Sequence, residues 1–306
     1  MTNQPEPLFQ PDRRLNKFVE RLIVTIFGLF ALVSIATTVG IILTLAAETY
    51  GFFQEVPLWR FLTDTEWTPL FSNKQYGIFV LLSGTFLTSV IAIIVALPIG
   101  LLSAIYLSEY APPKLRKWLK PMLEVLAGVP TVVFGFFALL FVTPILRTFV
   151  PGLQGFNSLS PGIVMGIAII PLVASLSEDA IYSVPQSLRQ GAYAMGCTKK
   201  EVVTGVVIPA ALSGIVASFI LAISRAVGET MIVTVAAGQN PNLTLNPLRS
   251  VQTMTSFIVQ VSLGDAPTGS LAYRTLFAVG TTLFLITLVL NAVSFWFVRK
   301  FREKYE

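Results

Sequence analysis

A chain of 306 residues with 54% hydrophobic and only 12% charged residues has a mean hydropathy of +0.75, where a soluble domain carries roughly 25% charge. One soluble core does not hide that much apolar surface, so the excess faces lipid. The net charge of +5 does not indicate nucleic acid, because the basic residues lie in short blocks beside hydrophobic runs rather than along one polar face. A single cysteine, Cys197, and the absence of histidine leave no internal disulfide and no framework for zinc, so no metal site is expected.

In chain order, residues 1–21 form a polar start that carries Arg13, Arg14, Lys17 and Arg21. The first apolar run, Leu22 to Ala47, exceeds the roughly 7 to 15 apolar residues of a signal-peptide core, so it reads as a retained helix even though Leu45-Ala46-Ala47 superficially resembles a cleavage site. Further runs follow at Ile78–Leu107, Leu123–Leu146, Pro161–Leu176, Pro209–Ala237 and Thr275–Val298. A hydrocarbon slab about 30 Å thick takes roughly 20 apolar residues of helix to cross. The expected fold class is therefore an all-α integral membrane protein with about six transmembrane helices, its membrane domain covering residues 22–298. Pro98, Pro130 and Pro171 fall inside runs, where each removes a backbone donor and favours a kink.

Lysine and arginine concentrate in alternate connections: the start, then Lys114, Arg116, Lys117 and Lys120, then Arg189, Lys199 and Lys200, then Arg299, Lys300, Arg302 and Lys304. The other connections hold only Arg60, Lys74, Arg147, Arg249 and Arg274. The positive-inside rule then predicts both ends in the cytoplasm, with a cytoplasmic tail at 299–306, and the 48–77 segment outside. Trp59, Phe61, Trp67 and Phe71 in that segment suit an interfacial anchor.

The cytoplasmic loop 183–209 has the grammar helix, turn, helix. Leu188, Ala192 and Met195 recur on one face, Gly196 is placed to end the first helix, and Thr198 with Glu201 matches a capping box. Periodicity alone fits a helix lying on the membrane surface equally well. The stretch Gln190-Gly191-Ala192, Gly196, Ile208-Pro209 resembles the EAA loop of ABC importer permeases, in which this helix docks into the ATPase subunit. Gln190 and Gly191 stand where that pattern has Glu and Ala, while the spacing from Ala192 through Gly196 to Pro209 is intact.

The fifth run carries Ser224, Arg225, Gly228, Glu229 and Thr230. An ionisable group at the bilayer centre costs at least about 2.5 to 3.5 kcal/mol, so such groups pair or line a polar path. Four residues apart on a helix, Arg225 and Glu229 would share a face, which fits a self-neutralising ion pair. It also fits an anion relay, in which the guanidinium offers a fork of donors to a tetrahedral oxyanion. A carboxylate beside such an anion favours one that carries a proton, as phosphate does near neutral pH and sulfate and molybdate do not. Ser224 and Thr230 would add neutral hydrogen bonds.

The run Arg225-Ala-Val-Gly-Glu-Thr-Met231 is similar to the Arg-Ala-x-Gly-Glu-Thr signature of phosphate importer permeases, and the Met after Thr resembles the PstC type of subunit more than PstA. Glu124 through Gly135 and Ser177 through Leu188 are similar to other motifs of that subunit. The resemblance implies a MetI-like ABC importer permease fold, a PstA-like second permease, a PstB-like ATPase dimer that carries ATP and magnesium, and an external phosphate-binding protein, all at the bacterial inner membrane. It assigns no cofactor to this chain. No Gly-x-x-x-x-Gly-Lys loop is present to bind ATP, and Glu178-Asp179, adjacent in sequence, make a poor acid pair for an enzyme and suit a solvated helix end. The remaining alternatives are a sulfate or molybdate permease and an anion transporter driven by an ion gradient.

Overall fold

The computed structural model describes residues 13–264 and 266–301. Of the predicted cytoplasmic ends, residues 1–12, and 302–306 with Arg302 and Lys304, lie outside the described residues. The described chain forms α1 (Arg13–Glu55), α2 (Leu58–Thr63), α3 (Ile78–Tyr110), α4 (Pro113–Ala127), α5 (Thr131–Phe149) and α6 (Leu159–Tyr182). Then come α7 (Gln186–Ala194), α8 (Lys199–Val227), α9 (Met231–Ala236), α10 (Met254–Leu263) and α11 (Leu271–Phe301). Helices α1, α3, α5, α6, α8 and α11 are the six long and apolar enough to cross a membrane, matching the expected all-α architecture.

Two of the expected runs are interrupted where the sequence reading has them continuous. The third run does not start a crossing at Leu123: residues 113–127 form the amphipathic α4, Gly128 caps it, and Pro130 precedes α5. Pro130 has no N–H to continue a helix, so it starts a new one instead of kinking an old one. Pro98 and Pro171 do lie inside helices. The fifth run divides at Gly228, as described below.

Among the described residues, three of four buried clusters stack along the bundle, the fourth being Val233, Ala237 and Val251. At the end that carries the 183–209 loop, Ala104, Ile181, Val184, Val202, Val207 and Ile215 pack together. In the middle, small residues dominate: Ala92, Ala96, Ala222 and Ala226 meet Phe134, Val164 and Met165. At the far end Phe52, Phe61, Trp67, Tyr76 and Phe257 form edge-to-face pairs, with Trp67 and Phe257 centroids 5.1 Å apart. Phe61 and Trp67, read as interfacial anchors, are therefore core residues at 4% and 1% exposure, whereas Trp59 and Phe71 remain exposed.

Helices α3 and α6 form the closest pair. A Cβ on Gly166 would stand 2.7 Å from Val95 Cβ, and one on Gly100 would stand 2.6 Å from Val173 Cβ. In membrane helices, where lipid tails give no hydrophobic drive to associate, small residues permit the backbone approach that van der Waals packing needs. Helix α1 runs eight residues past its predicted end because tertiary contacts hold it: Thr49 and Thr281 hydroxyls are 2.6 Å apart, and Arg274 of α11 donates to Glu55 at 2.9 Å.

Candidate substrate path and coupling loop

Helix α8 ends at Val227, and Gly228 closes it by donating to the Ser224 carbonyl at 3.2 Å. The chain then passes Glu229 and Thr230 before α9 begins. Glu229 stabilises this interruption itself: its Oε1 accepts from the backbone N–H of Met231 at 3.1 Å and of Ile232 at 3.4 Å, donors that the first turn of a helix otherwise leaves unpaired. The Thr255 hydroxyl donates to the Glu229 carbonyl at 2.8 Å.

The shared helical face expected for Arg225 and Glu229 is consequently absent. Arg225 lies in the last turn of α8, Glu229 lies beyond it, and no ion pair joins them among the described residues. Ser224 donates to Asn291 Oδ1 of α11 at 3.3 Å, and Thr230 donates to the Gly228 carbonyl at 3.2 Å, so both hydroxyls have local partners.

Arg225 instead borders a cavity of about 270 Å³ where α4, α6 and α8 converge, together with Lys120, Glu124, Pro171, Ser175 and Glu178. Glu178 is 1% exposed and takes two cations from α4, Arg116 at 2.5 Å and Lys120 at 3.3 Å. It is not the solvated helix end that its sequence suggests; that description fits Asp179, which is 66% exposed. Burial of the Glu178 carboxylate demands such pairing, since an unpaired charge removed from water costs several kcal/mol. Arg225 enters no ion pair among the described residues. Among the charges lining the cavity, its guanidinium is thus left available for an anion.

The sequence reading missed Lys120 and Glu124 at this cavity. Lys120 counts as a loop charge until α4 is known to fold against α6. Glu124 gave one signal, a carboxylate at the opening of an apolar run.

The loop forms the predicted helix, turn and helix. Gly196 has φ +84°, its N–H bonds the Tyr193 carbonyl at 3.0 Å, and Cys197 N–H bonds the Ala192 carbonyl at 3.2 Å, a Schellman closure that suits glycine. Thr198 and Glu201 cap α8 reciprocally. The face assignment differs from the expectation. Leu188 is 39% and Met195 85% exposed, with only Ala192 of the predicted stripe half-buried. The side chain that turns inward is Arg189, 8% exposed, which pairs with Glu109 of α3 and donates to the Ile181 carbonyl at 2.7 Å. Gln190 and Gly191 are exposed, and a Cβ at Gly191 would meet nothing within 4 Å, so the Ala of the EAA pattern has room there. Pro209 occupies the turn where the loop passes into the long stretch of α8, after an irregular, π-type turn at Val203–Val207.

A charged cavity joined by one long helix to a loop that leaves Leu188, Tyr193 and Met195 exposed, while Val184, Val202 and Val207 anchor it in the core, is the layout of a transport subunit that works against a partner. The chain belongs to the binding-protein-dependent transport system inner membrane components, whose family model matches residues 96–305. It is 33% identical over 289 residues to a probable ABC transporter permease, YqgH, of Bacillus subtilis, covering 94% of this chain and 90% of that one. Phosphate transport system permease proteins PstC are also similar. That of Mesorhizobium japonicum is 33% identical over 271 residues, 81% of this chain and 79% of its own length; that of Haemophilus influenzae is 31% identical over 305 residues, 94% and 95%. Among solved structures, the inward-facing MetNI methionine ABC transporter superposes with a TM-score of 0.54 at 19% identity, over 74% of this chain and 95% of that one. A bacterial alginate ABC transporter gives 0.65 at 14% identity, over 95% and 100%. The fold is thus that of ABC importer permeases. The chain is a membrane permease subunit, not itself an enzyme, and the family pairs such a subunit with another permease, an ATPase and a substrate-binding protein. The ion-gradient alternative falls with this membership.

Proposed function

We propose that this chain is the PstC-like permease of a phosphate importer and that Arg225 meets the anion on its path. The observation that carries the reading is the unpaired guanidinium at the cavity between α4, α6 and α8, on the helix that continues from the loop. The similarity to PstC proteins supports phosphate as the anion. Glu229 serves it as a proton acceptor through the carboxylate oxygen that the α9 N–H groups leave free, with Ser224 and Thr230 as neutral neighbours.

In the proposed cycle both chain ends are cytoplasmic, and a phosphate-binding protein delivers its ligand at the opposite face. The exposed side of α7, with Gln190, Gly191, Leu188 and Met195, docks onto a PstB-like ATPase dimer that binds ATP and magnesium. Ala192, Gly196 and Pro209 set the shape that carries the ATPase motion into α8, and a PstA-like permease completes the path.

The test is ATP-dependent uptake of labelled phosphate by vesicles containing the chain with its partner subunits, with sulfate as competitor and Arg225→Ala as the variant. Uptake that needs ATP and Arg225 and ignores sulfate is the expected result. Transport indifferent to Arg225 would return that residue to packing, and efficient competition by sulfate would reassign the anion.

A further inference from the structure

Four charged side chains line the cavity between α4, α6 and α8: Lys120, Glu124, Glu178 and Arg225. Lys120 and Glu178 are paired, with Arg116 as the second cation on the buried carboxylate. Arg225 and Glu124 form no ion pair among the described residues. The path described above uses Arg225 and leaves Glu124 without a part.

Nothing in α4 itself favours a carboxylate at position 124. It stands in the last turn of the helix, where the backbone dipole presents its negative end and stabilises cations instead. Lys120, four residues back, is the ordinary helical partner for it. That ammonium lies 3.3 Å from Glu178 and 3.8 Å from Asp179 instead. Arg116 and Lys117, which border Glu124 from the start of α4, form no ion pair with it either. Its neighbours in sequence, Leu123 before and Val125-Leu126-Ala127 after, are apolar. A carboxylate carried uncompensated into such a stretch marks an ion path more often than a packing contact.

The feature Glu124 does share is the cavity with Arg225. Its volume of about 270 Å³, against the roughly 30 Å³ of one water, admits a tetrahedral oxyanion. A guanidinium only donates hydrogen bonds and a carboxylate only accepts them. An anion that touches both therefore offers bare oxygens to the one and an O–H to the other. Glu229 is not among the residues that line this cavity, so it does not supply the acceptor here.

We propose that Glu124 is a specificity-determining residue of the path, whose carboxylate accepts the O–H of a hydrogen-bearing tetrahedral oxyanion, hydrogen phosphate or hydrogen arsenate, while Arg225 holds the bare oxygens. Sulfate and molybdate, without that proton, meet an unpaired negative charge. The assignment rests on the Arg225 reading and adds a second point of selection to Glu229.

The experiment uses the purified complex with its partner subunits. A thiol placed in the cavity by Ser175→Cys, with Cys197→Ser removing the chain's own cysteine, reports occupancy through its rate of alkylation in inorganic phosphate or sulfate at matched ionic strength. A site that hydrogen-bonds a substrate hydroxyl rejects an analogue lacking it by as much as about 10⁴-fold. For a carboxylate on the cavity rim, phosphate is expected to protect the thiol at concentrations at least about tenfold below those of sulfate. Glu124→Gln is expected to bring the two concentrations together with the melting midpoint unchanged, and Glu124→Asp to keep most of the difference. Equal protection by the two anions with Glu124 in place, or a difference that survives Glu124→Gln, would overturn the proposal. Arg225→Ala tests the reading beneath it: protection by both anions is expected to vanish, whereas protection that persists with the phosphate preference intact would take Arg225 off the path and keep Glu124 on it. Protection by neither anion with both residues in place would overturn both.

Discussion

Removing Arg189 tests how the loop is held. Its guanidinium is the buried contact of α7, pairing with Glu109 and the Ile181 carbonyl, and α7 has only nine residues. An isolated helix shorter than about 12 to 15 residues is marginal in water, so its docking depends on such contacts. Arg189→Ala leaves the Glu109 carboxylate, 9% exposed, without its cation. Loss of one partner of a buried pair costs about 3–5 kcal/mol, and 3 kcal/mol shifts the balance of docked and undocked α7 by more than about a hundredfold. Hydrogen exchange of residues 186–195 in the assembled complex should rise accordingly, and phosphate carried per ATP hydrolysed should fall. The double variant Arg189→Ala with Glu109→Ala removes the orphaned charge and should recover roughly 1–3 kcal/mol. Unchanged exchange in Arg189→Ala, or equal destabilisation in single and double variants, would refute the reasoning.

Glu229→Gln keeps an oxygen to receive the Met231 and Ile232 N–H groups, so folding should hold while phosphate uptake drops at least about tenfold; an equal loss for sulfate in the same vesicles would remove the proton-acceptor role. Arg116→Ala leaves Lys120 to neutralise Glu178, so a loss of about 3 kcal/mol, the lower end of the buried-pair range, is expected in thermal denaturation of the complex. Thr198→Ala removes one half of the capping box and should cost about 1 kcal/mol, visible as faster exchange at 198–202. Gly166→Val forces atoms into Val95 and should cost 1–3 kcal/mol or more, with a lowered midpoint in the same melt.

The six spans were legible because long apolar runs have one use in a chain this poor in charge. Their ends were not, since hydropathy does not distinguish a helix from two. Pro130 and Gly228 are ordinary letters in an apolar window, yet each stands where hydrogen bonding stops. The loop turn was legible for the opposite reason: Gly196, Thr198 and Glu201 make local bonds that depend on nothing distant. Arg189 was missed because its partner, Glu109, lies 80 residues away, and its charge argued for solvent. The same held for Glu178, whose burial depends on α4 folding against α6. Arg225 was legible by its charge in an apolar run, and its separation from Glu229 was not, because the four-residue rule presumes an unbroken helix.

That break has a mechanical consequence. A continuous helix is a rod, but at 228–230 the helical hydrogen bonding is interrupted, and the two sides are anchored differently. Arg225 rides on the lever that begins in the loop, whereas Glu229 is fastened to α9 and to Thr255. The two charges thus stand on opposite sides of a break in the helical bonding that the Glu229 N–H still bridges to the Ala226 carbonyl at 3.3 Å, and in the proposed cycle a stroke delivered through the loop changes the gap between them instead of carrying both along. Spin labels on α8 and α9 would read that gap through the ATP cycle, with a constant separation marking the break as rigid.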